Sequence, residues 1–165
     1  DVVRMVADGD DNLLSVTNDM ISVYNQPTIT KSLAKIGMIY TDETKSTSDS
    51  FCKPLDQCAF LQRGFRYEPS INLYLGPLKL KSILECFNWI HKNEDIYGVL
   101  EQNARMAHAE LSMHEEEVYN QYTHTIKKVL FDQYGKLVAY PSRATHLAWI
   151  REDTMTVKIP ELVWT

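Results

Sequence analysis

Apolar and polar positions alternate in blocks along this chain, and the block lengths predict its elements. Residues 2–7 form a short aliphatic run, residues 13–16 another, and Asp8-Gly9-Asp10-Asp11-Asn12 lies between them. Two β-rich runs around Gly, Asp and Asn predict two strands joined by a tight turn, with Asp10 and Asp11 at the tip of a buried hairpin. Residues 18–27 read as a loop. Ile29, Leu33 and Ile36 then recur at helical spacing, predicting a helix over 28–37 with Thr28 as its cap, Lys31 and Lys35 outward, and Gly37 as its stop. Met38-Ile39-Tyr40 reads as a strand, and the polar residues 41–50 as a surface loop. Apolar positions on both sides of Gly64 predict a second hairpin over 58–67.

The pattern changes near Pro69. From Leu78 onward the apolar spacing is helical: Leu80, Ile83, Leu84, Phe87 and Ile90 make one stripe, with Trp89 beside it. A second helix is predicted over 96–113. A third covers about 114–131, with Val118, Tyr122, Ile126 and Val129 inward. A last helix over 142–150 is capped by Ser142. The reading is α+β: a mixed lobe over 1–69 and a mostly helical lobe over 70–165.

Composition narrows the classes. The chain has 165 residues, the size of one ordinary domain or two small lobes, with 44% hydrophobic and 24% charged residues. No apolar run approaches the ~20 residues of a membrane span. It opens inside a hydrophobic run without Met or leader, the mark of a piece from a longer polypeptide. A net charge of −5 argues against non-specific nucleic-acid binding over the whole surface, while leaving room for a local basic stripe. Cys52, Cys58 and Cys86 show no CxxC pairing and fit thiols packed in a reducing compartment rather than a zinc site. His114 is followed by Glu115-Glu116-Glu117-Val118, so no HExxH site forms, and the acidic run reads as a solvated helix face.

The candidate chemistry lies at the first turn. Adjacent carboxylates on rigid strands suit a hard cation such as Mg²⁺, which takes one or two carboxylates plus substrate phosphates. Asp-Gly and Asp-Asp also serve as plain turns, because these residues tolerate positive φ. A calcium loop is a third reading, with Asp8, Asp10 and Asn12 at alternate positions. It fails where Leu13 replaces its Gly and Asp19 its Glu. In the second hairpin, Arg63 and Arg66 either face phosphates or keep a strand edge soluble.

Three segments in order carry a resemblance. Val6-Ala7-Asp8-Gly9-Asp10-Asp11-Asn12 resembles the Gly-Asp-Asp motif C of viral RNA-dependent RNA polymerases. Ile36-Gly37-Met38-Ile39-Tyr40-Thr41-Asp42-Glu43-Thr44-Lys45-Ser46 resembles motif D, and Phe60-Leu61-Gln62-Arg63-Gly64-Phe65 resembles motif E. Residues 77–91 and His114-Glu115-Glu116-Glu117-Val118-Tyr119-Asn120 are similar to the thumb of polymerases from picorna-like viruses. The run Asp10-Asp11-Asn12-Leu13-Leu14-Ser15 is closer to arthropod or algal picorna-like viruses than to enteroviruses.

The resemblance implies a right-hand polymerase, of which this chain holds the end of the palm and the thumb. The implied reaction is RNA-templated nucleotidyl transfer from NTPs to a 3′ hydroxyl by a two-metal mechanism. Asp10 would be the main ligand to Mg²⁺ (or Mn²⁺), with Asp11 assisting. Lys45 would be the general acid, and Phe60, Leu61 and Arg63 the primer grip. Implied partners are RNA template and primer, NTPs, a viral protein primer and the rest of the polymerase. The implied setting is membrane-associated replication complexes in the host cytoplasm.

Two positions depart from the family pattern. Asp8 stands where many relatives carry Tyr, and Gln62 stands where motif E carries lysine. The motif A aspartate, which the Asp10 site needs, is not in this sequence. The 165 residues alone are therefore expected to be inactive, and the hairpin to expose a hydrophobic edge. The rival reading is a non-catalytic RNA- or protein-binding module built on the thumb-like helices.

Overall fold

A computed structural model describes residues 2–42, 45, 52–89 and 95–156. The chain is mixed α+β, with two small antiparallel hairpins and a preponderance of helix. It divides into two compact units, Asp1–Phe65 and Arg66–Thr165.

In the first unit, β1 (Val3–Asp8) and β2 (Asp11–Val16) pair antiparallel around Gly9 and Asp10. Gly9 takes φ +61°. Glycine at the first of two loop residues is what a II′ hairpin turn needs, and that turn matches the twist of the flanking strands. The hairpin is not buried in this chain: Met5 is 65% and Val6 60% exposed. Within the first unit only Asn25 is buried among the described residues, so the expected apolar edge is present.

Helix α1 (Gln26–Ala34) starts before the expected Thr28 and ends before the expected Gly37. Pro27 belongs to its first turn, where the missing N–H costs nothing and the fixed φ suits a helix. Asn25 is the cap: its side chain accepts from the Thr28 N–H at 3.1 Å, and Thr28 Oγ1 accepts from the Asn25 N–H at 3.0 Å. Thr28 thus closes a capping box from the third helical position. The last carbonyls accept from the N–H groups of Gly37 and Met38, at 3.1 Å each.

Residues 38–40 are irregular rather than a strand. No neighbouring strand pairs with them among the described residues, and Ile39 is 93% exposed. Most of the loop expected over 41–50 lies outside the described residues.

The second unit opens with β3 (Arg66–Glu68) and β4 (Leu73–Leu75), paired antiparallel with Tyr67 opposite Tyr74. Four longer elements follow the hairpin: α2 (Leu80–Glu85), α3 (Ile96–Leu111), α4 (Glu116–Tyr134) and α5 (Arg143–Thr156). The core shared by α2, α3 and α4 is built on Ile83, Leu100, Ala104, Leu111, Ile126 and Leu130. Asp95 caps α3 by accepting from the Tyr97 N–H at 3.1 Å. Ser142 caps α5 as expected, its Oγ accepting from the Thr145 N–H at 3.1 Å.

The inward face of α4 is Tyr119, Thr123, Ile126 and Leu130, offset from the predicted stripe, and Val129 is 49% exposed. The offset is possible because the Thr123 hydroxyl donates to the Tyr119 carbonyl at 2.7 Å, which satisfies a polar group inside the core. Glu115, Glu116 and Glu117 face solvent, as predicted. In the stripe around α2, Ile83 is buried, Trp89 is 79% exposed, and Ile90 lies outside the described residues. The cysteines are free thiols, Cys58 and Cys86 half-buried and Cys52 exposed. No helix among the described residues is long and apolar enough to cross a membrane.

Candidate active site

The first hairpin positions the acidic residues by its register. Asp8 lies directly opposite Asp11, while Asp10 occupies the two-residue loop between them. All three are exposed. Side chains alternate across a strand pair, so Asp8 and Asp11 share one face and Asn12 points to the other. Two like charges directly opposite each other are destabilising. The departure at Asp8 therefore bears on Asp11 by cross-strand pairing.

The other face of the hairpin is tied down. Tyr40 Oη donates to Asn12 Oδ1 at 2.8 Å, and the Tyr40 carbonyl accepts from Thr30 Oγ1 at 3.2 Å. Tyr40 thereby links α1 to the strand that carries Asp11. Burial raises the Tyr40 phenol above its ordinary value; the Asn12 bond opposes this and Tyr24 adds to it. Tyr40 does not stand out in the sequence as a site residue, and Asn12 does so only in the rejected calcium-loop reading. The available signal is a tyrosine ending an apolar triplet, since a half-buried phenol usually finds a partner.

Lys45 is exposed with φ +58°, and its N–H donates to the Asp42 carbonyl at 2.9 Å. No hydrogen bond or ion pair among the described residues joins Lys45 to Asp10 or Asp11. The hairpin turn thus unites the two aspartates and leaves the lysine in a separate turn.

The second predicted hairpin turns at Leu61 and Gln62, not at Gly64. Phe60 and Arg63 exchange two backbone hydrogen bonds of 2.9 Å each, and Leu61 and Gln62 take φ +52° and +65°. Two consecutive left-handed residues make the I′ pattern, which usually selects Asn-Gly. Non-glycine residues there cost roughly 1–2 kcal/mol each. The paired hydrogen bonds hold Phe60 and Arg63 side by side against that strain, and the turn presents Leu61, 45% exposed, at the tip.

Arg66 does not face outward. It enters a buried network centred on Glu68, which is 6% exposed. Glu68 Oε2 accepts from Arg66 Nη2 at 2.5 Å and from Arg143 Nη2 at 2.6 Å, and Glu68 Oε1 accepts from Ser70 Oγ at 2.7 Å. The guanidinium groups also donate to backbone: Arg66 Nε to the Met113 carbonyl at 3.2 Å, and Arg143 Nη2 to that of His114 at 2.8 Å. One carboxylate thus ties β3, the turn between α3 and α4, and the start of α5. Burial pushes the Glu68 carboxyl up, but hydrogen bonds from Arg66, Ser70 and Arg143 outweigh it and hold it at about 2. His114 joins the same region through a 2.8 Å contact between its Nε2 and the Leu78 carbonyl. Sequence reasoning missed this hub because its members are up to 75 residues apart.

Asp10 and Asp11 offer the hard oxygen donors that Mg²⁺ or Mn²⁺ takes. Among the described residues no group of three or more His, Cys, Asp or Glu is arranged to hold a metal ion. Asp10 and Asp11 are two carboxylates at one turn and do not by themselves make up such a group.

Comparison with known proteins gives this geometry a family. The family model for viral RNA-dependent RNA polymerase matches residues 1–131. The replicase polyprotein of Acute bee paralysis virus is 34% identical over 128 residues, covering 76% of this chain and 7% of the polyprotein. The genome polyprotein of Rice tungro spherical virus is 34% identical over 131 residues, 77% of this chain and 4% of that protein. The replicase polyprotein of Cricket paralysis virus is 28% identical over 153 residues, 93% of this chain and 8% of that protein. The chain belongs to the viral RNA-dependent RNA polymerase family, with relatives among the picorna-like viruses. It spans under a tenth of the length of these polyproteins.

Proposed function

We propose that this chain supplies the closing part of a polymerase palm, residues 1–69, and its helical thumb, residues 70–165. The reaction is RNA-directed RNA synthesis. The 3′ hydroxyl oxygen of the growing strand attacks the α-phosphorus of an incoming NTP, and pyrophosphate leaves. The observation that carries this reading is the Asp10-Asp11 pair, presented on a two-residue hairpin turn in a chain that matches the family over residues 1–131.

Asp10 and Asp11 would hold divalent metal, with further carboxylates from elsewhere in the polymerase. When bound, Mg²⁺ or Mn²⁺ supplies charge neutralisation at the triphosphate and a more acidic 3′ hydroxyl. Gly9 keeps the turn tight, with no side chain between backbone and primer end. Lys45 gives its proton to the leaving pyrophosphate oxygen, a task suited to an ammonium on a flexible stem.

Phe60, Leu61 and Arg63 grip the primer. The I′ turn supports this role by fixing Phe60 beside Arg63, whose charge suits a phosphate contact that positions RNA without reading sequence. Gln62 at the tip hydrogen-bonds rather than attracting by charge. The partners are RNA template and primer, NTPs, a viral protein primer and the remaining palm and fingers. The setting is membrane-associated replication in the host cytoplasm.

Nucleotide incorporation on primed RNA tests the reading. The 165 residues alone give no extension, because the metal site is incomplete, whereas the full polymerase extends and loses that activity on Asp10→Asn. Robust Mg²⁺-dependent extension by the 165 residues would overturn the division of the site.

A further inference from the structure

His108 on α3 is fully enclosed, at 0% exposure, and neither ring nitrogen has a hydrogen-bond partner. Its ring stacks on Tyr140 with centroids 3.6 Å apart and planes 8° from parallel. Tyr119 of α4 meets it edge-on at 5.8 Å. Two more buried polar atoms, Tyr140 Oη and His146 Nε2, also lack partners. Tyr140 belongs to residues 135–142, the linker between α4 and α5. That linker is also held by an Arg105 Nη1 bond to the Ala139 carbonyl at 3.2 Å, a Tyr119 Oη bond to the Pro141 carbonyl at 3.4 Å, Val138 packed against the core, and a Lys136 N–H bond to the Leu130 carbonyl at 3.3 Å.

We propose that this cluster is a proton-controlled latch, in which neutral His108 clamps Tyr140 and the α4–α5 linker onto α3, and protonation of His108 lifts Tyr140 and the linker from α3 while Arg143 on Glu68 keeps the start of α5 in place. An imidazolium has two charged N–H donors, and this site offers neither an acceptor. A buried charge without partners is costly, far more than a neutral imidazole in the same place.

The surrounding charges reinforce the effect. From α4, Lys127 sits over the Tyr140 ring with Nζ 5.4 Å from its centroid. His146 faces the cluster from α5. Arg143 on α5 is taken up by Glu68, and Glu101 and Arg105 on α3 pair with each other at 2.8 Å. No carboxylate in this set bonds the imidazole. The stack on Tyr140 would offer an imidazolium a cation–π contact, a smaller gain than the hydration it loses.

Burial, then Lys127 and His146, lowers His108 to about 4, burial lowers His146, and burial pushes Tyr140 up to about 12. A folded-state value below the unfolded 6.5 means that the unfolded chain binds more protons between the two. The contribution to stability is full above pH 6.5 and falls as pH drops toward 4. At full difference each pH unit is tenfold in the folded-to-unfolded ratio, so the window amounts to roughly a hundredfold or more.

The test is urea unfolding of the chain from pH 7 to pH 4, with amide exchange and histidine ring-proton NMR. The expected result is about a hundredfold fall in the folded ratio, exchange rising first at residues 136–142, and a much flatter pH dependence in His108→Phe, which keeps a ring for the stack. An unchanged slope in His108→Phe, or exchange rising equally throughout α3, would overturn the latch. Should His108→Phe fail to fold, the wild-type titration decides: a His108 ring titrating below about 5 supports the latch, and one titrating near 6.5 refutes it.

Discussion

Replacing Glu68 with glutamine removes one charge from the centre of the second unit while keeping the side chain's shape. The substituted amide keeps an oxygen for Ser70 but sets its NH₂ against both Arg66 and Arg143, which donate to the same Glu68 oxygen. The side chains of these arginines are 23% and 15% exposed, so both guanidinium groups lose their counter-charge in a largely dry setting. Two routes give the cost. Breaking a buried ion pair by removing one partner costs about 3–5 kcal/mol. Independently, the Glu68 carboxyl falls from 4.5 to about 2. At about 1.4 kcal/mol per pH unit that corresponds to roughly 3 kcal/mol of preference for the ionised form. The partial exposure of both arginines pulls the figure toward the lower end, about 2–3 kcal/mol.

The sign of the pH effect follows. A carboxyl depressed in the folded state contributes stability above its unfolded value, and that stability is lost as pH falls from about 4.5 toward 2. Urea unfolding followed by far-UV circular dichroism reads both quantities, since the helices of the second unit dominate the signal. Glu68→Gln should lose about 2–3 kcal/mol at pH 7 and lose the acid limb below about pH 4.5. A loss under about 0.5 kcal/mol, or an unchanged limb, would show that desolvation cancels the network and that the hub does not hold the unit together.

Two other substitutions test different parts of the account. Leu111→Ala, at a side chain with 0% exposure in the shared helical core, should cost about 3–4 kcal/mol in the same unfolding assay, and a cost under about 1 kcal/mol would refute tight packing there. Gln62→Gly should relieve one left-handed residue worth about 1–2 kcal/mol. It should slow amide exchange at Arg63, whose N–H closes the turn, and faster exchange would refute the strained-turn reading.

Much of the architecture is legible in the sequence because local patterns decide it. The Gly-Asp-Asp turn, the extent of α3 and the Ser142 cap follow from turn chemistry, helical periodicity and capping, all local in sequence. The differences share a physical cause in contacts that a linear pattern does not show. Thr28 reads as a cap as long as Pro27 reads as a loop residue, whereas proline fits the first helical turn. The α4 stripe shifts because Thr123 satisfies its hydroxyl within the helix and enters the core. Gly64 draws the expected second turn away from Leu61 and Gln62, which adopt the left-handed conformation that glycine usually takes. Arg66 reads either as a phosphate contact or as a solubilising edge residue, because Glu68, the carbonyls of Met113 and His114, and Arg143 meet in its network only after folding. In the candidate site, the order Asp10-Asp11, Lys45, Phe60–Arg63 is legible through resemblance, while the Tyr40–Asn12 tie comes from tertiary structure.

The most direct measurement is single-nucleotide incorporation on a primed RNA by the full polymerase carrying Asp10→Asn, with RNA affinity measured in parallel. Asp10 as a metal-holding carboxylate predicts incorporation reduced by at least about a hundredfold and RNA affinity within a few-fold of wild type. Incorporation near the wild-type rate, or RNA affinity falling as steeply as the chemistry, would contradict it and return the hairpin tip to the role of a plain turn.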